Sequence, residues 1–152
     1  ELKGGKNVAF VTDAGTPGIS DPGNRLVEKA IENGITVIPI PGASALTTLA
    51  SVSGIDLSRF VFLGFPPHKK GRETFFKRLA AFDCPVAYYE SPHRLIKNLE
   101  LLKSLSPEKN IILGRELTKM FEEIIRGKAE EILRYFEKNK DKVKGEIVII
   151  VC

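Results

Sequence analysis

The sequence predicts an α/β protein, and three observations lead to this class. Apolar runs of strand length alternate with segments of helical periodicity. The connections between them are short and rich in glycine, proline and aspartate. The order strand, helix, strand, helix in the first third favours parallel pairing of the strands. With 152 residues, the chain can bury a core as one domain or as two small ones.

The first third is predicted to contain two buried strands, each followed by a turn and a helix. The strands are residues 7–13 and 35–40. For the first helix we predict Asp21 as the N-cap and Pro22 at the first helical position. Ser44 is the predicted cap of the second helix, which consists of small and apolar residues.

The remainder of the chain is predicted to form a second α/β unit. The joint lies near residues 54–60, so we predict a domain 1–56 and a domain 57–152. A solvated helix end and turn is expected for the lysines at 138, 140, 142 and 144. The predicted elements are a strand at 60–65, a helix at 72–82, a strand at 85–89, a helix from 92, strands at 110–116 and 122–126, a helix from 129 and a terminal buried strand.

Composition excludes several classes of protein. The 43% hydrophobic and 28% charged residues are typical of an ordinary globular protein. No run approaches the roughly 18 apolar residues that a membrane span needs. The two cysteines lie at no metal-binding spacing, so we expect no metal site and a reducing, cytoplasmic environment. The net charge of +4 favours an anionic partner.

The segment VTDAGTPGISDPG, residues 11–23, places three glycines after the first predicted strand. Glycine permits backbone geometries and close approaches that a Cβ obstructs. Open α/β folds bind ligands at the carboxyl ends of their strands, so a ligand site competes here with a plain tight turn. The pattern is neither GxGxxG nor GxxxxGK[ST], which argues against a dinucleotide site and a P-loop.

The segment PIPGASAL, residues 39–46, is a second turn of the same character. Its Ser44 is suited to capping a helix, to binding a ligand carboxylate, or to both. Two such turns after consecutive parallel strands are expected to face the same edge of the sheet. Together they predict a cleft that is lined by backbone rather than by charged side chains.

The segment PPHKKGRETFFKR carries a basic patch that includes Lys69, Lys70 and Arg72. Such a patch can bind phosphates, and either Phe75 or Phe76 is a candidate for stacking on a base. The alternative is a solvated basic helix whose phenylalanines face the core.

Two charged clusters, YYESPHR and GRELTK, end two strands of the second unit. They contain Glu90, Arg94, Arg115, Glu116 and Lys119. No serine–histidine–aspartate arrangement is recognisable in them. We predict that the two clusters border one pocket.

Six segments together carry a resemblance to a known family: VTDAGTPGISDPG, PIPGASAL, GFPPHKKGRE, YYESPHR, RELTK and KGEIVIIV. In this order they resemble the ribosomal small-subunit RNA (cytidine-2′-O)-methyltransferases of the tetrapyrrole-methylase superfamily. The resemblance runs from about Lys6 to Cys152. It implies a tetrapyrrole-methylase-like α/β fold, in which the end of a parallel N-terminal domain is followed by a mixed-sheet C-terminal domain.

The resemblance also implies a site and a reaction. The implied cofactor is S-adenosyl-L-methionine, and the implied reaction is 2′-O-methylation of a cytidine ribose in the decoding region of 16S rRNA. On chemistry alone, Glu90 and Glu116 are candidates for the catalytic base. Phosphate-positioning candidates are Lys69, Lys70, Arg72, Arg94, Arg115 and Lys119. The positions that match cofactor contacts of relatives are Ala14, Gly15, Thr16, Ile19, Ser44, Ala45, Glu90 and Leu117.

Family members begin with a further strand, loop and helix that are not found in this sequence, so we expect the N-terminal part of the family sequence to be missing. The resemblance further implies a homodimer. Two alternatives stay open at this point. One is C-methylation of a tetrapyrrole, which shares fold and cofactor. The other is a non-catalytic RNA-binding fragment.

Overall fold

The protein is described here by a computed structural model that covers residues 1–152. The chain forms two compact units, Glu1–Ser44 and Ala45–Cys152. Single turns of 3-10 helix lie at Leu2–Gly4 and Lys140–Lys142. The helices and strands are α1 (Asn24–Glu32), α2 (Ala45–Ser51), β1 (Val61–Phe62), α3 (Arg72–Ala80), β2 (Val86–Glu90), α4 (Pro92–Leu105), β3 (Asn110–Arg115), β4 (Glu123–Lys128), α5 (Ala129–Lys138) and β5 (Ile147–Val151).

The first unit contains one helix and no strand, so the strands predicted at 7–13 and 35–40 are wrong. A strand forms only where its backbone groups find a neighbouring strand to pair with. Neither segment has such a neighbour, and their apolar side chains are exposed, for example Val11 at 80% and Ile40 at 78%. The apolar pattern predicted buried strands, but the first unit contains no neighbouring strand against which these segments could pair.

Helix α1 forms where the sequence predicts a helix, but it begins later. Its N-cap is Gly23, with φ of 137°, and no side chain caps it. Asp21 and Pro22 therefore precede the helix rather than starting it, and the predicted cap is wrong. The helix ends as predicted near Gly34, whose amide donates to the Ile31 carbonyl at 3.0 Å while its φ is +67°.

The second unit is built on a five-stranded sheet with the strand order β1-β2-β5-β3-β4. Strands β1 and β2 pair in parallel, and the other three pairings are antiparallel. The sheet is therefore mixed, which confirms the predicted class of this unit. Strand β5 is central and buried along its whole length, as expected for its unbroken apolar sequence.

The sheet has a hydrophobic core on each face. On one face, α3, α4 and α5 pack through residues such as Phe76, Leu99 and Phe136. On the other face, α2 packs through Leu49 against the side chains of the central strands. Helix α2 thus belongs to the second unit in this structure, and a domain division after residue 56 stays a prediction. None of the helices combines the length and the apolar character needed to cross a membrane.

Two side-chain expectations have clear outcomes in this unit. Phe76 is fully buried, Phe75 packs on the same core, and both rings lie about 6 Å from the ring of Tyr88, at 5.9 and 6.0 Å. The phenylalanine core face is therefore the correct interpretation of this pair, and base stacking is not.

Lys142 is not simply solvated, because its Nζ donates to Glu123 Oε1 at 2.7 Å and to the Tyr135 hydroxyl.

Candidate functional site

The two glycine-rich turns, residues 13–18 and 41–44, lie against each other in the first unit. The Thr16 hydroxyl donates a hydrogen bond to the backbone carbonyl of Ala43, at 3.1 Å. A Cβ added to Gly42 would lie 3.5 Å from the same hydroxyl oxygen. The structure thus brings together the two turns that the sequence places at one edge, although the strands predicted to carry them are absent.

The first of these turns has a backbone conformation that depends on glycine. Gly15 and Gly18 have φ of +70° and +84°, in the left-handed region that residues with a side chain rarely adopt. The backbone hydrogen bonds of the unit involve none of the amides of Ala14, Gly15 and Thr16. Successive free amides in such a turn form a concave surface that can donate to the polar or anionic atoms of a small ligand.

The eight predicted cofactor-contacting residues are divided between the two units. Ala14, Gly15 and Thr16 belong to the first turn. Ile19 follows it with 56% of its surface exposed, and Ser44 closes the second turn. Ala45, Glu90 and Leu117 lie in the second unit, where Ala45 is the first residue of α2.

In the second unit, strands β2 and β3 end at the same edge of the sheet. Glu90 of β2 and Arg115 of β3 each lie opposite Ile147 of the intervening strand β5. Because paired strands are about 4.8 Å apart, the two backbones are separated by about 10 Å. Residues in one row of a sheet point to the same face, so both side chains lie on the face covered by α3, α4 and α5. The two charged clusters therefore share one edge of the sheet.

Glu90 is 2% exposed, and both of its carboxylate oxygens are engaged. Oε1 accepts the backbone amide of Ser91 at 2.7 Å, and Oε2 accepts the side-chain amide of Asn98 at 2.6 Å. Burial raises the pKa of Glu90 above its ordinary value of 4.5, although these two hydrogen bonds and the charge of Arg94 act in the opposite direction. This carboxyl group anchors the start of α4.

The raised pKa of Glu90 predicts a specific dependence of stability on pH. Between the unfolded and the folded pKa the folded state binds more protons, so the free energy of unfolding falls as the pH rises from about 4.5. The substitution Glu90→Gln removes this titration. We expect urea unfolding at a series of pH values to show a flatter profile for the variant above pH 4.5 than for the wild type.

Glu116→Gln is the matched control for this experiment, because the pKa of Glu116 is lowered rather than raised. Its contribution to stability is present above its unfolded pKa and is lost as the pH falls through its folded pKa. The two variants should therefore change the pH profile in opposite directions. Identical profiles for the wild type and Glu90→Gln would contradict the assignment.

The loop between β3 and β4 is anchored by Glu116. Its Oε1 accepts the backbone amide of Glu146 at 2.8 Å and the Nζ of Lys119 at 3.1 Å, and these hydrogen bonds lower the pKa of the Glu116 carboxyl. Glu116 and Thr118 have φ of +50° and +65°, which costs backbone energy in residues with a side chain. A Cβ at Gly145 would lie 2.5 Å from Glu116 Oε1, so glycine is required beneath this carboxylate.

Leu117 lies on the other face of the sheet, against α2. A Cβ added to Gly114 would lie 2.9 Å from a methyl group of Leu117 and 3.0 Å from one of Leu49. Leu117 is accordingly only 8% exposed. The absence of a side chain at Gly114 therefore allows Leu117 to pack directly over β3.

Three of the six predicted phosphate-contacting cations, Lys69, Lys70 and Lys119, are exposed on the surface. The Nζ of Lys119 forms ion pairs with Glu116 and Glu146, at 3.1 and 3.2 Å. Lys69 and Lys70 take part in none of the ion pairs of the structure. Their positive charge is thus available to a partner.

The other three cations are arginines that hold the backbone of loops. Each donates a hydrogen bond to a carbonyl: Arg72 to His68 at 2.6 Å, Arg94 to Pro66 at 2.7 Å and Arg115 to Phe121 at 3.2 Å. Arg115 is 5% exposed and also pairs with Glu123, at 3.3 Å. Their contacts in the structure stabilise the loops at the sheet edge, and contacts with RNA stay a prediction for all three.

Comparison with known proteins identifies the family. A family model described as tetrapyrrole (corrin/porphyrin) methylases matches residues 1–133. The chain belongs to this family.

Among the curated relatives of the chain are proteins named ribosomal RNA small subunit methyltransferase I. The one from Leptospira biflexa is 45% identical over 154 residues, which cover 99% of this chain and 62% of the relative. The one from Thermotoga maritima is 42% identical over 150 residues, which cover 99% of this chain and 67% of the relative. The Escherichia coli O157:H7 protein is 41% identical, with 99% of this chain and 54% of the relative covered. The chain thus spans about half to two thirds of the length of these relatives.

Solved structures show that the fold is that of a tetrapyrrole methylase, as predicted. The methyltransferase CobJ superposes with a TM-score of 0.63 at 20% identity, over 90% of this chain and 61% of its own. The uroporphyrin-III C-methyltransferase of Thermus thermophilus, solved in complex with S-adenosyl homocysteine, gives a TM-score of 0.59 at 17% identity. It covers 90% of this chain and 62% of its own.

Two residues near the sheet edge were not predicted from the sequence. Asn98, which donates to Glu90, lies two turns into α4, and nothing in the sequence marks its partner. Phe65 is 48% exposed and lies three residues after the end of β1. The strand predicted at 60–65 is shorter in the structure, because β1 ends at Phe62 and Phe65 lies in the segment that follows it.

Proposed function

We propose that this chain binds S-adenosyl-L-methionine through the two glycine-rich turns, residues 13–18 and 41–44. The observation that carries the proposal is the direct contact between the two turns, made by Thr16 and Ala43. Their small side chains suit a ligand rich in polar acceptors, as do the amides of Ala14, Gly15 and Thr16, which donate to no backbone carbonyl. A fold neighbour solved with S-adenosyl homocysteine supports the same class of cofactor. Contacts of Glu90 and Leu117 with the cofactor stay predictions.

We further propose that the reaction is 2′-O-methylation of a cytidine ribose in the decoding region of 16S rRNA. The names of the relatives support a small-subunit rRNA substrate. The net charge of +4 and the unpaired Lys69 and Lys70 support an RNA partner. The cytidine and the 2′-hydroxyl rest on the resemblance of the six sequence segments.

When bound, S-adenosylmethionine supplies an electrophilic methyl group to the attacking ribose 2′-oxygen, and its sulfur leaves as a neutral thioether. The main task of the protein is then alignment, which can supply about 7–11 kcal/mol of the barrier. Glu90 and Glu116 stay candidates for accepting the hydroxyl proton. In the structure both act as loop anchors, and the lowered pKa of Glu116 makes it a weaker base than an ordinary glutamate.

We also propose a cytoplasmic location, because the proposed substrate is part of the ribosome. A homodimer is also proposed, on the resemblance to the family alone.

The proposed function predicts transfer of labelled methyl groups to the small ribosomal subunit. We would assay the 152-residue chain and a chimera in which it replaces the matching region of the Thermotoga maritima relative. The substrates are unmethylated 30S subunits and uroporphyrinogen III. We expect label in 16S rRNA, released by nuclease digestion as 2′-O-methylcytidine.

The two alternatives give different results in the same assay. Label found only in the tetrapyrrole would show C-methylation and overturn the proposal. If the chimera binds RNA but transfers no methyl group, the chain is a non-catalytic RNA-binding protein. Isothermal titration calorimetry with S-adenosylmethionine separates loss of cofactor binding from loss of the transfer step.

A further inference from the structure

Phe65 is a large aromatic residue at the carboxyl edge of the sheet of the second unit, and 48% of its surface is exposed. Its ring contacts the ring of Tyr89 at a centroid distance of 5.4 Å. Tyr89 in turn contacts Phe62 edge-on, at 5.0 Å and 72°. The exposed ring of Phe65 thus packs on Tyr89, whose own ring packs on Phe62.

The backbone around Phe65 is held in place from both sides. The carbonyl of Gly64 accepts the amide of Tyr89 at 2.9 Å, and the carbonyl of Pro66 accepts Nη1 of Arg94 at 2.7 Å. Arg72 closes the following loop through its hydrogen bond to the His68 carbonyl. A ring on such a fixed support loses little conformational entropy when it binds a ligand.

The loop that follows Phe65 is positively charged. Between residues 60 and 78 the only acidic residue is Glu73, and its carboxylate is paired with Lys77 at 2.6 Å. Lys69 and Lys70, four and five residues after Phe65, are exposed and take part in no ion pair. An exposed aromatic ring and unpaired cations in one short segment are the combination by which proteins bind single-stranded nucleic acid, with bases stacked on the ring and phosphates held by the cations.

We propose that Phe65 stacks on an unpaired nucleobase of the RNA, while Lys69 and Lys70 bind neighbouring phosphates. This inference rests on the proposed function for the identity of the partner as RNA. It adds that the site selects single-stranded over double-stranded RNA, because a paired base inside a duplex does not present its face to an aromatic ring.

The test is RNA binding by the 152-residue chain, measured by fluorescence anisotropy with a labelled unstructured single-stranded RNA and with the same strand in a duplex. Phe65→Ala should weaken binding of the single strand by about 5- to 150-fold, the range that corresponds to loss of one base–aromatic stack. Phe65→Trp should retain wild-type affinity. Phe60→Ala is the matched control, because Phe60 is also exposed, at 36%, but precedes β1 at the opposite end of that strand.

The lysines give a second, independent readout. Lys69→Ala and Lys70→Ala should each reduce the slope of log affinity against log salt concentration by about one. Phe65→Ala should leave that slope unchanged, since stacking releases no counterions.

Several outcomes would overturn the inference. They are wild-type affinity in Phe65→Ala, equal weakening in Phe60→Ala, no preference for the single strand, or no RNA binding by the wild type. A change in sedimentation coefficient of Phe65→Ala without a change in RNA affinity would instead show a protein contact at this ring. The proposed function fails by a different result, which is absence of methyl transfer to 30S subunits, so the two can be distinguished.

Discussion

Gly15→Val is expected to lower the catalytic efficiency of methyl transfer by about 100-fold and to weaken binding of S-adenosylmethionine. The φ of +70° at Gly15 is costly for a β-branched residue, by at least about 1–2 kcal/mol, so the turn should shift to relieve it. A displacement of about 1 Å in an alignment-dependent site is enough for a loss of this size. Calorimetry with the cofactor and kcat/KM of the chimera measure the two effects.

Gly34→Val is the matched control for this substitution. Gly34 has nearly the same backbone conformation, with φ of +67°, and a Cβ there would meet no atom within 4 Å. It lies after α1, and a Cβ there would contact neither glycine-rich turn. Its valine variant should show a similar loss of stability with normal cofactor affinity. Equal loss of cofactor binding in both variants would show that the effect comes from folding and not from the turn.

Phe76→Ala is expected to destabilise the second unit by about 3–5 kcal/mol, as for other fully buried phenylalanines. Phe76 has no exposed surface, and its ring packs edge-on against Tyr88 within the core formed by α3, α4 and α5. The loss combines the transfer of the ring out of water with the cavity left behind. The midpoint and slope of urea unfolding measure it.

Phe75→Ala provides the comparison for Phe76, since the two residues are adjacent and identical in type. Phe75 is only partly buried, so its substitution should lower the free energy of unfolding clearly less than Phe76→Ala does. The decisive result is which of the two variants lowers the free energy of unfolding more. A larger loss for Phe75→Ala would mean that the orientation of α3 is different from the one described.

The second unit was predictable from local sequence signals because its elements pack on one another. Strands β2 and β3 and helix α3 were predicted to within about two residues, α4 and α5 begin where they were predicted, and β5 lies within the predicted terminal strand. In each case the local pattern and the tertiary contacts agree, since the apolar side chains face the two cores of the same sheet. The same rules failed at 7–13 and 35–40, where the pattern is as strong but no neighbouring strand is present.

The candidate site was predicted in outline but not in its contacts. Glycine spacing marked both turns, because left-handed backbone favours glycine regardless of context. The roles of charged residues were much less predictable. Glu90, Arg94 and Arg115 look alike in the sequence as charged residues at strand ends or helix starts, yet the fold buries two of them and uses all three to hold backbone or side-chain amide groups.

By itself, the sequence determined the α/β class, the family and the position of the two turns, since these depend on residue periodicity and on backbone conformations that are local. Only the tertiary structure decided which charged side chains stay unpaired and which aromatic rings are exposed. Lys69 and Lys70 keep their charge available and Phe65 is exposed, while Arg115 and Phe76 are enclosed. The physical reason is that burial and ion pairing depend on neighbours distant in the chain, which no local pattern records.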